Sequence, residues 1–131
     1  MKFIIDTNII IKYMEGDIEV ISSVDFMLSL GYELSISVIT EIELLSTDSV
    51  DQKNKILFFI KIFRVISFDS DIARLASDVR VKVKMKLPDA VILATAICHR
   101  AELITKDAEL DRKYKLYKNS YFKKDSEDIS L

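Results

Sequence analysis

Cysteine, histidine, proline and glycine are all scarce in this 131-residue chain, and each shortage narrows what the protein can be. The single cysteine, Cys98, excludes an intramolecular disulfide and any zinc site built on several thiolates. It falls within an apolar helical pattern, which predicts a small buried hydrophobe. The lone histidine, His99, supports no zinc site without cysteine neighbours and reads as a helix-surface or hydrogen-bonded residue. With 2 Gly and 1 Pro, the chain should consist mostly of regular elements joined by short connections. No apolar run approaches the roughly 18–20 residues that cross a bilayer. The N-terminal apolar stretch is interrupted by Asp6 and Asn8 and lacks a small-residue cleavage site, so it does not resemble a signal peptide. No membrane association is expected, and a soluble cytoplasmic protein is the natural reading. A large excess of one charge is missing too: 19 basic and 21 acidic residues leave a net charge of −2. That excludes a generally basic nucleic-acid coat, but not a local basic patch.

Hydrophobic residues make up 50% of the chain, enough for one domain with a real core. Strand-like segments fall at residues 2–6, 33–37, 65–68 and 103–105, with a weaker candidate at 115–117. Helical patterns lie between them, at 9–15, 18–30, 38–46, 50–63, 71–83 and 89–100. Gly16 and Gly31 stand where helices should stop, Ser70 and Asp71 are candidate caps, and Pro88 suits an early helical position. Strands alternating with helices predict the α/β class, a central parallel sheet flanked by helices. One domain over 1–122 and a polar, frayed tail over 123–131 are expected. Residues 56–63, Ile-Leu-Phe-Phe-Ile-Lys-Ile-Phe, are apolar nearly all round. Two readings stay open: a deeply buried helix, or one that also meets a second copy or a partner.

The chemistry is carried by acids. Phe3-Ile4-Ile5 reads as a strand buried on both faces, and it ends on Asp6. The carboxyl ends of strands are where open α/β sheets bind ligands, and an ionised aspartate there needs a cationic partner. Further acids fall beside other element ends: Glu41 and Glu43 after the second strand, Asp89 opening the last helical pattern, and Asp107 after the fourth strand. Right-handed crossovers place those ends along one edge. Singly, each has a structural explanation. Asp89 and Asp107 suit helix N-termini, and Thr40-x-x-Glu43 has the form of a capping box. Asp6 resists such an explanation best. Crowded carboxylates need a counter-charge, and hard divalent ions with oxygen ligands, Mg²⁺ or Mn²⁺, supply one. Such ions activate water and stabilise charge on a phosphate, so the chemistry implied is phosphodiester hydrolysis.

Four motifs in order then carry a resemblance: Phe3-Ile4-Ile5-Asp6-Thr7-Asn8, Ile39-Thr40-x-x-Glu43-Leu44-Leu45, Leu87-Pro88-Asp89-Ala90-Val91-Ile92-Leu93-Ala94-Thr95-Ala96, and Leu103-Ile104-Thr105-x-Asp107. Over about the first 117 residues the chain resembles the PIN-domain nucleases, most nearly the VapC-type toxins of toxin–antitoxin pairs. The resemblance implies a PIN-like fold with a metal pocket at the carboxyl edge of the sheet. It makes Asp6, Glu43, Asp89 and Asp107 an acidic quartet around Mg²⁺ or Mn²⁺, with Asn8 and Thr105 as supporting polar groups. It further implies an endoribonuclease acting on RNA, often a homodimer, held in check by a cognate antitoxin protein. Glu43 matches the family's Thr-x-x-Glu spacing, whereas Glu41 would point about 200° away on a helix. Asp111, one turn beyond Asp107, is a candidate to share or replace its role. Arg80, Lys82, Lys84 and Lys86, just before Asp89, are candidates to grip the RNA backbone, or simply a solvated helix end. The lysines around Tyr114, Tyr117 and Tyr121 suggest stacking only weakly.

Rival classes fare worse. An aspartyl phosphatase needs a second Asp two positions after the first, where this chain has Asn8. A receiver domain needs an acid pair near the first strand's end, which is missing although Lys106 would suit its lysine. An RNA-processing PIN nuclease outside a toxin–antitoxin system, or a non-catalytic PIN-fold binding module, remain the alternatives.

Overall fold

A computed structural model describes residues 1–129, with side chains through Lys123. Most of the tail expected over 123–131 therefore lies outside the described side chains. Four strands, β1 (Lys2–Ile5), β2 (Glu33–Ser37), β3 (Arg64–Ile66) and β4 (Glu102–Ile104), form one sheet in the order β3-β2-β1-β4. All three pairings are parallel; Ile4 stands opposite Ser35 on β2 and Leu103 on β4. Seven helices connect and flank them: α1 (Thr7–Met14), α2 (Ile18–Ser29), α3 (Val38–Leu45), α4 (Val50–Ile60), α5 (Ser70–Val83), α6 (Leu87–Cys98) and α7 (Ala108–Ile129).

Because side chains alternate along a strand, the Phe3-Ile4-Ile5 run supplies both faces of the sheet. Ile4 packs with α5, α6 and α7 through Ile72, Val79, Leu93 and Tyr114. Phe3 and Ile5 pack with α1, α2 and α4 through Ile10, Val24 and Ile56. Strand β1 is thus the middle layer between two apolar cores, which is why its apolar run is continuous. Helix α6 is the most deeply set element: Ala90 to Ile97 are all buried.

Local punctuation explains the boundaries. Gly16 and Gly31 follow α1 and α2 at φ 87° and 75°, left-handed backbone that favours glycine. Asp17, Ser49 and Asp69 cap α2, α4 and α5 by accepting backbone N–H bonds. The α5 cap is therefore Asp69, one residue before the expected Ser70 and Asp71. Pro88 lies in the first turn of α6, where its missing N–H is harmless.

Two further expectations are corrected, and of the two readings of residues 56–63 the deeply buried helix is ruled out. Residues 115–117 are not a strand; they belong to α7, which turns Leu110, Tyr114 and Tyr117 onto the core at helical spacing. Cys98, the last residue of α6, is exposed rather than buried, because the inward face of the helix ends at Ile97. The apolar stretch 56–63 buries only one face: Ile56, Ile60 and Phe63 point inward, while Leu57 and Phe58 are 47% and 68% exposed. Among the described residues, no helix is long and apolar enough to cross a membrane.

Candidate active site at the carboxyl edge of the sheet

Where β1 ends, the chain turns directly into α1 through Asp6, whose backbone is still extended (φ −66°, ψ 149°). The Asp6 N–H continues the sheet pairing by donating to the Ile104 carbonyl at 2.9 Å. Asp6 is only 4% exposed, and its carboxylate accepts a 2.8 Å bond from the Thr105 hydroxyl. Thr105 in turn accepts the Asp107 N–H at 3.0 Å, so one hydroxyl ties the end of β1 to the loop after β4. Asp107 begins α7: its Oδ1 accepts the Glu109 and Leu110 N–H groups at 3.0 and 3.1 Å.

The second acid comes from α3. That helix is capped by Ser37, which accepts the Ile39 N–H at 3.1 Å, so Thr40 and Glu43 do not form its capping box. The Glu43 carboxylate instead accepts a 2.8 Å bond from the Thr7 hydroxyl of α1, and Thr7 lies 2.9 Å from the Thr40 hydroxyl. Asp89 occupies the first turn of α6, where the helix dipole favours an anion.

Electrostatics links these side chains. Burial pushes the Asp6 carboxyl above the ordinary aspartate range, against the lowering effect of the Thr105 hydroxyl and Thr7 N–H bonds; Asp107 adds to the rise. Burial likewise raises Asp89, and the charges of Asp6, Asp107 and Glu43 raise it further, while Lys86 pulls it down. Asp89 is thus repelled by Asp6, Asp107 and Glu43, and Asp6 by Asp107. A cation would relieve that repulsion.

Among the described residues no three ligating groups are already gathered tightly enough to hold an ion. Glu43 is drawn to Thr7 and one oxygen of Asp107 to the α7 backbone. The second oxygens of both remain outside those bonds. The donor set, four carboxylates, is that of a hard divalent ion such as Mg²⁺ or Mn²⁺.

Other candidate residues separate. Asn8 is exposed on α1, and the hydrogen bonds to the acids come from Thr7 and Thr105 instead. Asp111 is turned along α7 to Lys115, at 2.8 Å. Of the two acids on α3, Glu43 is the one that acts on Asp89 and bonds to Thr7; Glu41 lies on another face. Arg80, Lys84 and Lys86 line a cavity of about 830 Å³ between α5 and the start of α6, with Phe68, Val81 and Leu87 among its apolar walls. Lys82 does not join them: it pairs with Asp78 at 3.2 Å. Neither Thr7 nor Thr40 was expected among the groups that support the acids, although in the sequence Thr40 pairs with Glu43 in the form of a capping box. Their signal is a hydroxyl beside Asp6 and another, fully buried, in the first turn of α3.

Fold and site together define a class: a parallel α/β domain with an acidic centre at the carboxyl edge of its sheet. A family model of the PIN domain matches residues 3–116. The chain belongs to the PIN domain family, a family of nucleases. It is similar to a chain of a toxin–antitoxin complex from Klebsiella pneumoniae, at 34% identity and TM-score 0.69, over 79% of this chain and 85% of that one. VapBC2 from Rickettsia felis, solved with a promoter DNA fragment, shares the fold at TM-score 0.75 and 19% identity, over 86% and 92% of the two chains. VapBC-1 from nontypeable Haemophilus influenzae does so at 0.74 and 22%, over 88% and 93%. No curated protein matches the chain.

Proposed function

We propose that this protein is a metal-dependent endoribonuclease and the toxin of a toxin–antitoxin pair. The observation that carries the proposal is the hydrogen-bonded setting of the acids in a PIN-family fold: Asp6, at the end of β1, is held by Thr105, and Glu43 of α3 is held by Thr7, with Asp89 in the first turn of α6 and Asp107 at the start of α7. Asp6 and Asp89, the two with raised pKa, would hold Mg²⁺ or Mn²⁺, with Glu43 and Asp107 completing the set. When bound, the metal supplies a water of lowered pKa and neutralises charge on the scissile phosphate.

The chain's own residues do the rest. Thr105 fixes one oxygen of Asp6 by donating its hydroxyl proton to it. Arg80, Lys84 and Lys86 grip backbone phosphates in the groove between α5 and the start of α6, so that RNA is held by charge rather than by base identity. The antitoxin partner is supported by the 34% identity to a chain of a toxin–antitoxin complex. Homodimer or antitoxin contact is assigned to α4, where Leu57 and Phe58 face outward. Purified protein should cleave RNA with Mg²⁺ or Mn²⁺, and Asp6→Asn should not.

A further inference from the structure

We propose that Thr40 and Thr7 form a directional pair of hydroxyls that positions Glu43 for the metal; the inference rests on the carboxylates being a metal centre. A threonine hydroxyl carries a single proton. Thr7 gives its proton to Glu43 Oε1 at 2.8 Å, because a carboxylate can only accept. The 2.9 Å contact between Thr7 and Thr40 must then be donated by Thr40, which fixes the order Thr40 to Thr7 to Glu43. Bonds in such a chain polarise one another.

The fold explains how residues 33 and 36 positions apart come together. β1 and β2 run parallel as neighbours, so the first turn of α1 and the first turn of α3 leave the sheet side by side. Thr40 is 0% exposed and Thr7 is buried, whereas Glu43 is exposed. A long, exposed glutamate would otherwise sample many rotamers. The relay holds one of its oxygens from within the core and leaves the other for an ion. Valine would fill the Thr40 site equally well, so packing alone does not require a hydroxyl there. Thr7 and Thr40 are positioning residues; neither needs to touch RNA or metal.

The test is Mn²⁺ binding to the purified protein, by calorimetry and by the loss of the free-ion EPR signal. Thr40→Val should weaken Mn²⁺ binding about tenfold, the low end of what loss of a ligand's supporting hydrogen bond costs. Thr40→Ser, which keeps the hydroxyl, should restore it to within about threefold of the parent. Thr7→Val should weaken binding at least as much, and Thr7→Val with Thr40→Val should be no worse than Thr7→Val alone, because the chain is already cut. Parent-like Mn²⁺ affinity in Thr40→Val, or fully additive losses in the double variant, would overturn the relay while leaving the metal centre intact. Parent protein that takes up no Mn²⁺ would overturn both.

Discussion

Replacing Asp89 by asparagine should make the metal-free protein more stable, although it removes a residue from the proposed site. Near a protein surface a like-charge pair repels by roughly 4 kcal/mol at 4 Å. Asp89 is partly exposed, and its neighbours can turn away, so about 0.5 kcal/mol from each of the three acids is a suitable discount. Against that total of roughly 1.5 kcal/mol, asparagine forgoes about 0.5 kcal/mol of interaction with the α6 dipole. The net gain is about 1 kcal/mol, or roughly 4 °C in Tm for a domain of this size. The pH dependence follows from the raised pKa of Asp89. A carboxyl whose native pKa lies above its unfolded value, near 3.8, favours the native state while protonated and loses that contribution as pH rises through the native pKa. The variant's advantage should therefore be small at acid pH and open as neutrality is approached. Thermal unfolding in EDTA across that range reads it directly. Mn²⁺ at a 100-fold excess over its Kd should raise parent stability by about 2.7 kcal/mol and the variant's far less. A variant less stable than the parent near neutral pH in EDTA, or an advantage that does not change with pH, would refute the reasoning.

Two other substitutions probe the surfaces. Phe59 is half-buried and packs edge-on to Tyr13 at 5.8 Å, so Phe58, 68% exposed and touching the Phe59 ring edge-on, is the better probe of α4. Phe58→Lys should leave unfolding stability within about 0.5 kcal/mol of the parent while weakening self-association or antitoxin binding, as read by sedimentation and titration. Changing Arg80 and Lys86 to glutamine should raise KM for RNA with kcat little altered, and should lower the salt slope of RNA binding by about 1.4 at about 0.7 per single-strand phosphate contact. An unchanged slope would remove the groove from the account.

Much of the fold was legible because β1 and α6 are dictated by burial. Phe3-Ile4-Ile5 allows no solvated face, and the structure places those residues in two cores. The buried position of Asp6 was legible for a related reason: a carboxylate at the end of such a strand has no structural use that an apolar residue would not serve better. Helix α7 was not legible, since its polar composition hides three inward residues, Leu110, Tyr114 and Tyr117, spaced by four and three. Read locally, Leu116 and Tyr117 among lysines mimic a strand. Exposure of Cys98 depended on where α6 outruns its neighbours, which is tertiary information. The Thr7–Thr40 contact depends on β1 and β2 being sheet neighbours, and no local pattern carries that.

The central claim is that the carboxylates meeting at the end of β1 hold a metal that cuts RNA, and cleavage of RNA by the purified chain tests it most directly. The account predicts phosphodiester cleavage with Mg²⁺ or Mn²⁺, none in EDTA, and none by an Asp6→Asn variant that folds as the parent does. Cleavage that persists in EDTA, or an Asp6→Asn protein that cuts like the parent, would contradict it.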